Sequence, residues 1–141
     1  MHLPSAINTF RFRLALVVGD PVLKRGLTLL LREFREYQLS AECFDVSELI
    51  KRDLCFDIII LDPGARLESG LRAVSQIRQH FRNIPIIMLG TFEEEAYSRW
   101  MQETGLLTYI PKPFSAERLR EAISDRSAYL LNQKPEQSLS K

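Results

Sequence analysis

The sequence predicts an α/β domain built on a doubly wound parallel sheet, and three observations carry that expectation. The run Ile58-Ile59-Ile60-Leu61 is unbroken and stops at Asp62-Pro63-Gly64, the pattern of a strand buried on both faces. Ile84-Pro85-Ile86-Ile87-Met88-Leu89 repeats that character and ends at Gly90-Thr91. Along the whole chain, short strand patterns alternate with stretches of helical spacing, which requires right-handed crossovers and helices on both faces. The common five-stranded order 2-1-3-4-5 is expected, with ligand chemistry at the carboxyl ends of the strands.

Taken in order, Phe12 to Val18 is the first strand, and it ends at Gly19-Asp20-Pro21. Val22, Leu23, Leu27, Leu30, Leu31 and Phe34 then recur at helical spacing. Asp20 stands as N-cap and Pro21 in the first helical position. Leu39 to Phe44 is a short second strand, and Asp45 or Ser47 caps a brief helix through Leu49 and Ile50. After the strand ending at Asp62, Leu71, Val74, Ile77 and Phe81 trace a helix that opens near Ser69-Gly70. Beyond the fourth strand, Phe92, Ala96, Tyr97, Trp100 and Met101 mark another helix, with Glu93 to Glu95 in its first turn and Gly105 at its stop. Leu106 to Ile110 is the last strand. Pro111 to Phe114 makes a sharp loop, Ser115 caps, and Leu119, Ile123 and Leu130 or Leu131 line the closing helix. Residues 1–10 read as an N-terminal extension, 11–131 as the domain and 132–141 as a polar tail or linker.

A chain of 141 residues, 45% hydrophobic and 26% charged, is one ordinary globular domain. Its formal charge of +1 gives no electrostatic case for direct nucleic-acid binding or for an anionic membrane. No apolar run is long enough to span a bilayer, and the first residues lack the pattern of a secretion signal, so a cytoplasmic location is expected. Cys43 and Cys55 lack metal-ligand spacing, and with only His2 and His80 no thiolate or imidazole metal site is expected. Both thiols are expected to be reduced and buried. His80, near a helix end, reads as a capping or solvent-facing residue.

The predicted sheet order brings Asp20 and Asp62 to one crevice, with Thr91 from the fourth strand's end and Lys112 from the fifth. A carboxylate can attack a phosphoryl group, a lysine can pair with phosphate oxygens, and a hydroxyl can bond the new oxyanion. Asp62 with Gly70 eight residues later, the segment Gly105 to Phe114 with its Lys112-Pro113-Phe114, and the element order together resemble the receiver domain of two-component response regulators, a flavodoxin-like fold, over about residues 11–128. The resemblance implies that Asp62 is the phospho-acceptor and Lys112 the phosphate-pairing lysine. It further implies a cis Lys112-Pro113 bond, and Tyr109 as an aromatic that changes rotamer on activation. It makes Mg²⁺ the cofactor, a sensor histidine kinase or other signalling protein the partner, and a homodimer the candidate assembly. No enzymatic turnover is expected.

The chain departs from that pattern at the acceptor site. Val18 and Gly19 stand where receivers carry two adjacent metal-binding acids, and Gly90 stands where they carry the switch hydroxyl, with Thr91 one residue along. Ala65-Arg66 replaces the usual Met-Pro. A Mg²⁺ ion is left with Asp62, Asp20 and the Gly64 carbonyl, and is expected to bind weakly or not at all, because helix capping already accounts for Asp20. The leading expectation is a receiver with an atypical site, acting as a regulatory switch or docking module independent of phosphorylation. The alternatives are an ordinary phospho-accepting receiver at Asp62 and a flavodoxin-like nucleotide or flavin binder. Against the latter, no glycine-rich phosphate loop follows the first strand. Association is expected to use the face carrying Arg99, Trp100 and Arg118.

Overall fold

A computed structural model describes residues 11–52, 54–64, 66–91 and 107–139, with side chains through 132. Five parallel strands form one sheet in the order β2-β1-β3-β4-β5. They are β1 Phe12–Val18, β2 Tyr37–Cys43, β3 Ile58–Asp62, β4 Ile86–Gly90 and β5 Leu107–Pro111. The described helices are α1 Pro21–Glu33, α2 Val46–Lys51, α3 Leu67–His80 and α4 Ala116–Leu139. The helix expected from Phe92 to Thr104 lies outside the described residues, as does the N-terminal extension.

Strict alternation along the strands divides the interior into two layers. Leu14, Leu16, Val18, Ile58, Ile60, Ile87, Leu89 and Ile110 face α1 and α4, meeting Leu27, Leu31, Leu119 and Ile123. Ala15, Val17, Ile59, Leu61, Ile86, Met88 and Tyr109 face α2 and α3, meeting Val46, Leu49, Val74 and Ile77. Burial on both sides is why β3 and β4 read as unbroken apolar runs.

Local chemistry sets the element ends. Asp20 Oδ1 accepts from the N–H groups of Val22 (2.9 Å) and Leu23 (3.4 Å), with Pro21 opening α1 as expected. At α2, Asp45 Oδ1 accepts from the Glu48 N–H while Glu48 Oε1 accepts from the Phe44 N–H, each at 2.8 Å, the reciprocal capping of a box. The Phe44 N–H and then the Arg52 guanidinium hold the Glu48 carboxyl below its ordinary pKa. Ser115 Oγ accepts from the Arg118 N–H at the start of α4.

Several expected boundaries move. β2 begins at Tyr37 rather than Leu39 and stops before Phe44, which is left half-exposed. β4 begins at Ile86, because Pro85 has no N–H to give and only its carbonyl joins the ladder, accepting from Ile59. α3 opens at Leu67, ahead of Ser69, with no side-chain cap from Arg66. α4 stays helical to Leu139, beyond Leu131, and the Gln, Lys and Glu that follow Asn132 are good helix formers. Leu130 packs on the α1–α4 layer and Leu131 is exposed. Cys43 is buried, and desolvation pushes its thiol pKa up. Cys55 is exposed, against expectation, because it precedes β3 in a loop and Phe56 takes the inward place. His80 ends α3 exposed, edge-on to the Phe81 ring.

Candidate functional site

β1 and β3 are neighbours, with Val18 opposite Asp62, so their carboxyl ends open a crevice of ≈ 470 Å³. Asp62, Asp20, Gly64, Thr91 and Lys112 all line it. The sheet order alone brings these five together, as the sequence implied. Asp62 ends β3 and is buried, at 6% exposure. Its Oδ1 accepts from the Gly64 N–H at 3.0 Å, and Gly64 sits at φ 97°, a left-handed conformation that favours glycine. The turn signal and the crevice carboxylate are therefore one feature: the Asp-Pro-Gly turn fixes the carboxylate's orientation.

Lys112 reaches this carboxylate from β5. Its N–H donates to the Gly90 carbonyl at 2.7 Å, continuing the β4–β5 ladder, and its Nζ lies 2.5 Å from Asp62 Oδ2. The Lys112-Pro113 bond is cis. Oδ2 is buried and, the ion pair with Lys112 aside, accepts no hydrogen bond among the described residues.

Tyr109 is placed differently. It does not line the crevice but packs in the α2–α3 layer, 5% exposed. A Cβ built on Gly90 would lie 3.0 Å from Tyr109 Oη and 3.1 Å from Cε1. The ring therefore occupies the space that a side chain at 90 would claim. Gly90→Thr is expected to push the Tyr109 ring out of that seat. Solvent-perturbation difference absorbance should then read about one additional exposed tyrosine; an unchanged count would show that the seat does not depend on the glycine.

The metal donors expected from the sequence fit Mg²⁺ poorly. Val18 is fully buried in the α1–α4 layer and Gly19 has no side chain. Asp20 already accepts from two N–H groups of its own helix. Among the described residues no group of three or more His, Cys, Asp or Glu could hold a metal ion.

Arg118 lies away from the crevice, exposed in the first turn of α4, with Nη1 3.6 Å from Glu121 Oε1. Arg99 and Trp100 lie outside the described residues. Sequence reasoning passed over the opposite wall of the crevice: Ser69, Arg72, Ala73 and Gln76 of α3, with Phe44 and Asp45 before α2. The spacing 69, 72, 73, 76 traces one edge of a helix, a signal present in the sequence but masked by the apolar stripe of Leu71, Val74 and Ile77 beside it.

The response regulator receiver domain family matches residues 15–124. A probable C4-dicarboxylate response regulator DctR from Halalkalibacterium halodurans is 24% identical over 130 residues, covering 91% of this chain and 56% of that protein. The oxygen regulatory protein NreC from Staphylococcus epidermidis is 31% identical over 116 residues, covering 77% of this chain and 52% of that protein. The chain thus spans about half the length of these two relatives. Among solved structures, a CheY-like receiver domain protein from Methanospirillum hungatei superposes with a TM-score of 0.74 at 17% identity, over 88% of this chain and 99% of that one. A two-component response regulator of the LuxR family from Aurantimonas gives 0.71 at 24% identity, over 82% and 84%. With the sheet order, the buried strand-end aspartate and its lysine partner already in hand, the match over residues 15–124 closes the question of kinship: the chain belongs to the response regulator receiver domain family of two-component signalling.

Proposed function

We propose that this receiver is a regulatory switch and docking module that works without a phosphoryl group on Asp62. The observation that supports this most is the lack of a second free carboxylate: among the described residues that line the crevice, Asp20 and Asp45 already cap helices through their side chains. A phosphoryl group on a carboxylate needs neighbouring positive charge, and one unit pair at about 4 Å supplies on the order of 4 kcal/mol at an effective dielectric near 20. Lys112 offers one such pairing, and among the described residues the ligand set of a metal that would offer a second is missing.

Tyr109, seated in the space at Gly90, belongs to the same reading, since the ring already occupies an inward position in the unmodified chain. The module then presents one fixed surface to its partner, a sensor histidine kinase or another signalling protein, and turns over no substrate. Self-association, where it occurs, uses the face that carries Arg118. This domain makes no direct contact with nucleic acid.

The test is incubation with acetyl phosphate and Mg²⁺ followed by intact-mass measurement, with Asp62→Asn as control. The expected result is no adduct on the unsubstituted chain. A near-stoichiometric phosphate adduct that disappears in Asp62→Asn would overturn the proposal. It would establish the second reading, an ordinary phospho-accepting receiver, which the preserved Asp62–Lys112 geometry favours.

A further inference from the structure

The crevice extends well past Asp62, toward α2 and α3. Its floor there is apolar: Val17 and Leu61 from the sheet, Val46 from α2 and Ala73 from α3, with Phe44, 50% exposed, as a side wall. A large ring half in water beside an apolar floor is a surface that gains by being covered. The ≈ 470 Å³ volume falls within the range of about 300–1,000 Å³ typical of small-molecule sites. Bare Gly19 on the rim keeps the space open.

The charges in the lining select the ligand. Each carboxylate is already engaged: Asp62 with Lys112 and the Gly64 N–H, Asp20 with the N–H groups of Val22 and Leu23, and Asp45 with the N–H of Glu48. Asp20 and Asp45 each sit at the N-terminal end of a helix, where the helix dipole offsets part of their charge. The lining's two cations are Lys112, which is committed to Asp62, and Arg72, which has no counter-ion among the described residues. A guanidinium presents a planar fork that matches a carboxylate with two parallel hydrogen bonds. Gln76, one turn on, and Ser69, one turn back, add neutral donors along the same helix edge.

We propose that this crevice binds a small organic acid with an aromatic or branched apolar body, its carboxylate on Arg72 and its body over Val17, Leu61, Val46 and Ala73. Such a ligand would cover Phe44 and bear on the loops that carry Asp62 and Gly64, giving the domain a chemical input at the site where relatives accept a phosphoryl group. The proposal rests on the crevice itself and holds whether or not Asp62 is phosphorylated.

The probe is 1-naphthoate, titrated into the ¹⁵N-labelled chain and followed by two-dimensional NMR, with uncharged 1-naphthamide as its isostere. Saturable shifts are expected at Phe44, Ser69, Arg72, Ala73 and Gln76. Arg72→Gln should weaken naphthoate about tenfold or more, the scale of a lost charge-assisted hydrogen-bond pair. The amide should bind more weakly than naphthoate and be indifferent to Arg72→Gln. Ala73→Leu, which fills the floor, should weaken both, and Arg72→Gln, a change at an exposed position, keeps the test independent of any loss of stability in the Ala73 variant. Absence of saturable shifts up to millimolar naphthoate would overturn the proposal, as would naphthoate binding of equal strength in the unsubstituted and Arg72→Gln chains.

Discussion

Gly19→Asp is expected to give the chain Mg²⁺-dependent phosphorylation on Asp62, with an initial rate of adduct formation about a hundredfold or more above that of the unsubstituted sequence. An added carboxylate beside Asp62 restores a metal ligand, and losing most of a ~4 kcal/mol charge pairing corresponds to about two to three decades of affinity. The backbone accepts the change: a Cβ at position 19 would meet only the Phe44 carbonyl oxygen, at an ordinary 3.7 Å. The neighbouring position does not. Val18 is fully buried among Leu14, Leu16, Ile58 and Ile60, and a carboxylate there would be desolvated at a cost of several kcal/mol. Nor does Gly90→Thr belong in the first variant, because it disturbs Tyr109. Intact-mass time courses with acetyl phosphate, with and without Mg²⁺, on Gly19→Asp and on Gly19→Asp/Asp62→Asn measure the effect. If Gly19→Asp stays unmodified, a missing carboxylate at this position is not what limits the site.

The sheet was legible because its physics is local and repetitive. Ile58–Leu61 and Ile86–Leu89 are buried on both faces and had to read as unbroken apolar runs, and Asp20-Pro21 and Asp45 announce helix starts by side-chain chemistry alone. Asp62, Lys112, Thr91, Asp20 and Gly64 were legible as one site because parallel order puts strand ends together whatever the side chains do. Two things were not legible. The first was the seating of Tyr109 against Gly90, which depends on a rotamer and on the absence of a Cβ across two strands; neither leaves a periodic trace. The second was the Ser69–Gln76 wall, where four residues on the edge of α3 become a surface only once α2 is folded opposite them. Cys55 was misread for a related reason: an apolar neighbourhood in sequence gave no measure of which side of the loop before β3 faces water.

Lys112→Ala is expected to lower stability by about 1–3 kcal/mol in urea denaturation, the cost of leaving a buried polar group without its partner. Asp62's side chain is only 5% exposed, so without the ammonium its carboxylate faces the crevice unpaired, while Lys112 itself, 29% exposed, loses little packing. Complete burial of both ions would raise the cost toward about 3–5 kcal/mol, and the partial exposure of Lys112 keeps it lower. Asp62→Asn removes the charge, and its amide oxygen can still accept from the Gly64 N–H now bonded to Oδ1, so it should cost much less. In the double variant the uncompensated charge is gone, and Lys112→Ala made in the Asp62→Asn background should be nearly neutral. The resulting coupling energy, about 1–3 kcal/mol, is the signature of a desolvated pair; exposed ion pairs give about 0.2–1 kcal/mol. Amide exchange at Gly64 and Thr91 should also accelerate in Lys112→Ala, because the pair links the turn after β3 to the strand that leads into the Lys112-Pro113 loop. Strict additivity of the two substitutions, with no change in exchange, would mean that Lys112 does not hold the turn after β3 in place, and the fixed-surface account of this receiver would fall with it.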